Sequence, residues 1–153
     1  IIEDVLEFVR ISDLHMNDTL LDDVISSSLE GLHVPSSVSI ERIGEPIHVL
    51  CDSKKLEAVF INILTNAMDA IEKNGTIRIK TVTTDKNIVI QFVDSGVGVP
   101  PGDELKIFDP MFTTKSHGSG LGLTICKMIV DQHGGKLDYR STPSTFSVFL
   151  PKS

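Results

Sequence analysis

What this sequence lacks removes several classes of function. It has no run of Lys or Arg. Its 14 basic residues stand against 21 acidic ones, for a formal net charge of −7. There is thus no electrostatic footprint for nucleic acid or for an anionic lipid surface, and direct membrane contact is not expected. A protein partner or a metal-bound nucleotide suits this balance better than a bare polyanion. No apolar run approaches the ~20 residues of a membrane span, and no signal peptide is present. The two cysteines, Cys51 and Cys126, lie far apart with no CxxC pair. They read as small buried thiols in a reducing cytosol. Low-complexity tracts and internal repeats are absent. The first residue is Ile1, not Met, so the chain is expected to be a fragment, which leaves membrane segments elsewhere in the parent open.

What is there is one ordinary globular domain: 153 residues, 41% apolar and 23% charged, enough to bury a core. Residues 1–11, "IIEDVLEFVRI", carry apolar residues on one helical face without a start signal. "TLLDDVISSSLEGLHVP" predicts a second helix, with Thr19 as N-cap and Gly31 and Pro35 bracketing its end. "VSIERI" (38–43) and "IHVLC" (47–51) predict a hairpin turning at Gly44-Glu45-Pro46. The segment from Asp52 to Gly75 has apolar residues at 56, 59, 60, 63, 64, 67, 68 and 71, an amphipathic helix capped by Asp52 or Ser53 and ended by Asn74-Gly75. "TIRIKTVTT" and "NIVIQFVD" predict a hairpin around Asp85-Lys86-Asn87. From Ser95 to Ser119 the chain is rich in Gly, Pro, Thr and Ser, with one short helical turn around 105–109. So long a connection suits a lid or binding loop. "LGLTICKMIVDQHGG" predicts a helix closed by Gly134-Gly135, and "KLDYRS" with "TFSVFLP" a last hairpin. Helices and antiparallel strands come in groups, so the fold class is α+β: one mixed or antiparallel sheet with helices on one face.

Three stretches carry chemistry. On the long helix Asn62, Asn66, Asp69 and Lys73, spaced 4, 3, 4, form a polar stripe away from the apolar face. Asn is a mediocre helix former, and two stacked carboxamides offer oxygen to a cation such as Mg²⁺ and N–H to phosphate. In "VDSGVGVPPGD", Asp94 ends a strand, where a buried carboxylate can accept hydrogen bonds from an exocyclic amine. Gly96 and Gly98 free the backbone for positive φ or for close approach by a ligand. "FDPMFTTKSHGSGLGL" opens a helix with Gly118, Gly120 and Gly122. It is neither GxxxxGK[ST] nor a dinucleotide GxGxxG behind a strand. What remains is a glycine run whose backbone N–H groups, at Gly120, Leu121 and Gly122, point at an anion, with Lys115 as a mobile charge.

Together, "NILTNAMDAI", "DSGVGVP", "FDPMFTTK" and "GSGLGL", in this order, closely resemble the N, G1, F and G2 boxes of sensor histidine kinases. The resemblance covers roughly residues 36–151, and the compact lid is similar to that of the nitrogen-regulator type. It implies the Bergerat α/β sandwich shared with gyrase B, MutL and heat-shock chaperone ATPases, with a flexible ATP lid. It also implies ATP and Mg²⁺ as ligands. By resemblance, Asn66 ligates Mg²⁺ and Asn62 lies beside the phosphates, where other superfamily members keep a glutamate base. Asp94 reads the adenine amino group while Gly96 and Gly98 pass the base. Phe108, Phe112, Thr113, Thr114 and Lys115 belong to the lid, Lys115 neutralising charge near the γ-phosphate. Gly118, Gly120, Leu121 and Gly122 hold phosphate oxygens, and Thr145 offers a hydroxyl near adenine. Asp69 and Lys73 join the ATP-binding set, although many relatives carry Lys where this chain has Asp69. The glycine usual before the "TF" step is replaced in "STPSTF".

The phosphoacceptor box, roughly His-Glu-x-x-[Arg/Lys]-x-Pro, is absent. His15, in "LHMNDTL", does not fit it. His33, His48 and His133 read as surface or packing residues, and His117 as a neighbour of Lys115. Residues 1–18 are therefore expected to be the tail of a dimerisation and phosphoacceptor hairpin, and residues 19–153 the catalytic ATP-binding domain. The implied partners are the dimerisation/histidine phosphotransfer domain of the same parent and a response regulator receiver domain. The implied location is cytoplasmic, with the parent free to be membrane-anchored. A hydrolytic ATPase of the same superfamily would carry a carboxylate at position 62. A non-enzymatic module is disfavoured by the intact Asn66, Asp94 and glycines.

Overall fold

The computed structural model describes residues 13–109 and 122–152. These form an α+β fold: a mixed, mostly antiparallel five-stranded sheet with helices, plus a separate two-stranded ribbon. β1 (Asn17–Leu20) leads into α1 (Leu21–Glu30). β2 (Val38–Ile43), β3 (His48–Cys51) and α2 (Ser53–Ala70) follow. β4 (Gly75–Thr83) and β5 (Asn87–Asp94) precede two 3-10 turns, Pro101–Asp103 and Lys106–Phe108. α3 (Gly122–Gln132), β6 (Lys136–Ser141) and β7 (Ser144–Pro151) complete the described chain. The sheet order is β2-β4-β5-β7-β6. No helix among the described residues is long and apolar enough to cross a membrane. The helix expected over residues 1–11 lies outside the described residues.

The long helix forms where the spacing requires it. Leu56, Val59, Phe60, Ile63, Leu64 and Ala67 are all buried on one face of α2. Phe60 meets Phe92 of β5 with ring centroids 5.2 Å apart, in the offset geometry aromatic pairs prefer. In β5 and β7 alternate residues turn to this core: Ile88, Ile90 and Phe92 from one, Phe146, Val148 and Leu150 from the other.

Asp52 caps α2, its Oδ1 accepting from Lys55 N–H at 3.2 Å. Its Oδ2 accepts from His15 N–H at 2.9 Å, tying the incoming chain to the helix start. Burial works to raise the Asp52 pKa, but the backbone donors of His15 and Lys55 outweigh it and hold the carboxyl below its ordinary value. The Asp52 N–H donates to His133 Nε2 at 3.0 Å, and His133 Nδ1 lies 2.8 Å from the Ile129 carbonyl. His133 is thus a buried packing residue, while His33 and His48 are exposed. Both cysteines are buried and free, and burial pushes the Cys126 thiol up to about 12.

Three local expectations are corrected. β2 and β3 do not form a hairpin. β2 lies parallel to β4, Val38 opposite Gly75 through Ile43 opposite Lys80, and β3 pairs antiparallel with β1 instead. A parallel pair needs a long crossover, and β3 with α2 supplies it. Thr19 is not the cap of α1. It lies in β1 with its hydroxyl donating to the Asn17 carbonyl, and Leu20 occupies the cap position. α2 ends at Ala70, not at Asn74-Gly75. Ile71 turns to extended backbone and packs on the core, and Gly75 already belongs to β4. Lys73 therefore leaves the helical stripe and sits exposed in the bend that follows. Asn17 and Asp18 of β1 pair with Cys51 and Leu50 of β3.

Candidate nucleotide-binding site

Asn62, Asn66 and Asp69 lie on α2. The carboxamides of the first two touch, Asn66 Nδ2 donating to Asn62 Oδ1 at 3.3 Å. The start of α3 is pressed against the same side chain: a Cβ placed on Gly122 would stand 2.5 Å from Asn62 Nδ2 and 2.8 Å from its Oδ1. Only glycine lets the two helices approach so closely. The first N–H groups of a helix lack intrahelical acceptors and carry the positive end of its dipole. An amide pair is thus set beside a helix N-terminus, an arrangement suited to anions.

Asp94 ends β5 and is buried. Its Oδ1 accepts from Gly96 N–H at 2.9 Å and its Oδ2 from the Ser144 hydroxyl at 2.9 Å. Burial pushes its pKa up, and these two donors work against that rise. A carboxylate has about four lone-pair positions, so acceptor capacity remains for an amine. Gly96 joins the two halves of the site, since a Cβ there would stand 2.5 Å from the Ala70 carbonyl oxygen at the end of α2. Neither Gly96 nor Gly98 has a positive φ. Their close approach is to the protein's own chain, Gly98 meeting the Ser141 carbonyl.

Phe108 ends the second 3-10 turn, half-buried against the core, and its carbonyl accepts from Thr124 Oγ1 of α3 at 2.9 Å. Asp69 is exposed on the last turn of α2. Thr145, expected to offer a hydroxyl to the base, donates it to the Pro143 carbonyl at 2.8 Å. Ser144 is the β7 hydroxyl that reaches Asp94, and sequence reasoning missed it. The signal was strand alternation. Residues 144, 146, 148 and 150 turn inward with residues 88, 90, 92 and 94 of β5, while residue 145 turns away. Phe112, Thr113, Thr114, Lys115, His117, Gly118, Gly120 and Leu121 lie outside the described residues.

The family of histidine kinase-, DNA gyrase B- and HSP90-like ATPases matches residues 51–153, which hold the amide pair, Asp94 and Gly122. The chain belongs to this family. Within it, the chain is an ATP-binding catalytic domain of the sensor histidine kinase kind. Sensor histidine kinase ZraS of Salmonella typhimurium is 32% identical over 99% of the chain and 34% of its own length. Sporulation kinase C of Bacillus subtilis is 40% identical over 65% of the chain and 24% of its own length. The nucleotide-free catalytic domain of the histidine kinase ThkA superposes with a TM-score of 0.80 at 30% identity, covering 91% of this chain and 97% of that one. The domain thus spans about a third of the length of full sensor kinases such as ZraS.

Proposed function

We propose that this domain binds Mg–ATP between α2, the end of β5 and the start of α3, and passes the γ-phosphoryl group to a histidine on the dimerisation domain of its parent protein. The phosphoryl group then goes to an aspartate on a response regulator receiver domain. The observation that carries the reading is the Asn62–Asn66 amide pair packed on the N-terminus of α3, with a buried, doubly anchored carboxylate at the end of the neighbouring strand.

In this reading Asp94 accepts the adenine amino group, and the first turn of α3, with Gly118, Gly120, Leu121 and Gly122, donates backbone N–H groups to phosphate oxygens. Among the described residues no three His, Cys, Asp or Glu cluster as a metal site. The carboxamides of the Asn62–Asn66 pair offer oxygen donors, which suits Mg²⁺, an ion commonly bound through few protein ligands and by phosphates. Asn66 would hold it, and the ion would neutralise phosphate charge. Asn62 supports transfer over hydrolysis, because an amide is too weak a base to activate water where a carboxylate would. Lys115 stabilises charge developing on the transferred group. Asp69 and Lys73 border the site. In this reading the chain ahead of β1 belongs to the tail of the dimerisation hairpin, and the domain works in the cytoplasm, where ATP and the receiver domain are found.

Calorimetric titration of the chain with ATP, with and without Mg²⁺, tests the reading. Saturable binding that strengthens with the metal and disappears in Asp94→Ala is expected. Binding indifferent to both Mg²⁺ and Asp94 would remove these residues from the site.

A further inference from the structure

The chain's single tyrosine stands behind the proposed adenine-binding carboxylate. Tyr139 of β6 is buried, its ring tilted on Phe146 with centroids 4.7 Å apart. Its hydroxyl lies 3.3 Å from Val99 N and 3.0 Å from Ser144 Oγ, which lies 2.9 Å from Asp94 Oδ2. Chemistry sets the direction of every bond. A carboxylate only accepts, so Ser144 donates to Asp94. Ser144 Oγ then accepts from the Tyr139 O–H, and Tyr139 Oη accepts from the Val99 N–H. The chain of donors runs one way, from the turn after β5 through β6 and β7 and back to the end of β5. Gly98 permits it, since a Cβ there would stand 2.9 Å from Tyr139 Oη.

A phenylalanine at 139 would pack equally well on Phe146. The hydroxyl adds nothing to that packing and would cost free energy if buried without partners. Here both of its bonds serve the site, holding the turn at Val99 and orienting the serine on Asp94. We propose that Tyr139 is a positioning residue for the nucleotide base, its hydroxyl locking Ser144 and the turn after β5 so that Asp94 meets the exocyclic amine in one orientation. This rests on the reading of Asp94 as the carboxylate that binds adenine. The Ser144 bond also opposes the upward push of burial on the Asp94 pKa, so the same relay favours the ionised acceptor.

The test compares affinities of the 153-residue chain for Mg–ATP and for purine riboside 5′-triphosphate, which lacks only the 6-amino group. A bond from that amine to a charged carboxylate predicts a preference for ATP of roughly 10- to 100-fold in the unaltered chain. Tyr139→Phe should weaken ATP about 5- to 10-fold and the purine analogue less than about 2-fold, shrinking the preference. Ser144→Ala should do the same, and the double variant should lose no more than the larger single loss, as members of one network do. Equal weakening of both ligands would make Tyr139 a merely structural residue and overturn the proposal. An unchanged preference in Tyr139→Phe, with the unaltered chain discriminating, would overturn the relay and leave the adenine reading standing. An unaltered chain that binds both ligands equally would overturn that reading and the proposal with it.

Discussion

A methyl group added at Gly96 tests the joint that holds the site together. The new Cβ would stand 2.5 Å from the Ala70 carbonyl oxygen, 2.6 Å from its carbon and 2.8 Å from its Cβ. Carbon contacts are comfortable near ~3.5–4.0 Å, so roughly 1 Å of separation must be found. Two of the three obstructing atoms are backbone, and the turn of α2 that carries them is continued by the Ile71 N–H bond to Met68 O. Overpacking of this kind costs about 1–3 kcal/mol. Gly→Ala recovers about 0.4–1 kcal/mol through the unfolded chain. The balance is a net loss of about 1–2 kcal/mol, which lowers Tm by about 2–8 °C in a domain of this size. The displacement also pulls Gly96 N–H away from Asp94 Oδ1, and losing a bond to a charged group predicts roughly 10-fold weaker ATP binding. Gly102→Ala is the control, since a Cβ there meets nothing within 4 Å; its Tm should stay within about 2 °C. Thermal unfolding by circular dichroism and calorimetric titration read both quantities. A Gly96→Ala chain that melts with the unaltered one and binds ATP equally would refute the steric argument.

Other outcomes follow from the same contacts. Asp94 has a raised folded pKa, so its contribution to stability is present below the unfolded value and lost as pH rises through the folded one. Asp94→Asn should therefore match or exceed the unaltered chain in Tm at neutral pH while losing ATP, and ATP affinity of the unaltered chain should fall as pH drops through the raised pKa; a lower Tm in Asp94→Asn would contradict the sign. Asp52 has a lowered folded pKa, so it stabilises above the ordinary carboxyl range and the gain is lost as pH falls through the folded value. Asp52→Ala should cost about 1–3 kcal/mol at neutral pH in denaturant unfolding, and that deficit should shrink in acid. If the proposed phosphoryl transfer holds, Lys115→Ala in the full-length parent should reduce transfer more than ATP binding, and equal losses would make it a binding residue only.

Elements whose partners are close in sequence were legible from it. α2 announces itself by apolar spacing and by its Asp52 cap, and the β4–β5 and β6–β7 hairpins by short turns between alternating strands. β2 and β3 read as a hairpin because alternation shows that a strand exists and not which strand it pairs with. β2 finds β4 across more than thirty residues, at Val38 opposite Gly75. Lys73 reads as an extension of the stripe because periodicity does not reveal that Ile71 turns back to the core. Thr145 comes from the family resemblance, whereas Ser144, on the opposite face of β7, is brought to Asp94 only by the strand's register.

The sequence alone determined the kind of site: amides at helical spacing, a carboxylate at a strand end and a glycine run opening a helix, together with the family resemblance they carry. These are properties of local order, written in residue type and period. Only the tertiary structure decided which atoms meet. It set Gly122 against Asn62, Gly96 against Ala70, and Tyr139 behind Ser144 and Asp94. Such contacts depend on strand register and helix docking, which are set by burying the whole core at once and leave no trace in the spacing of any single segment.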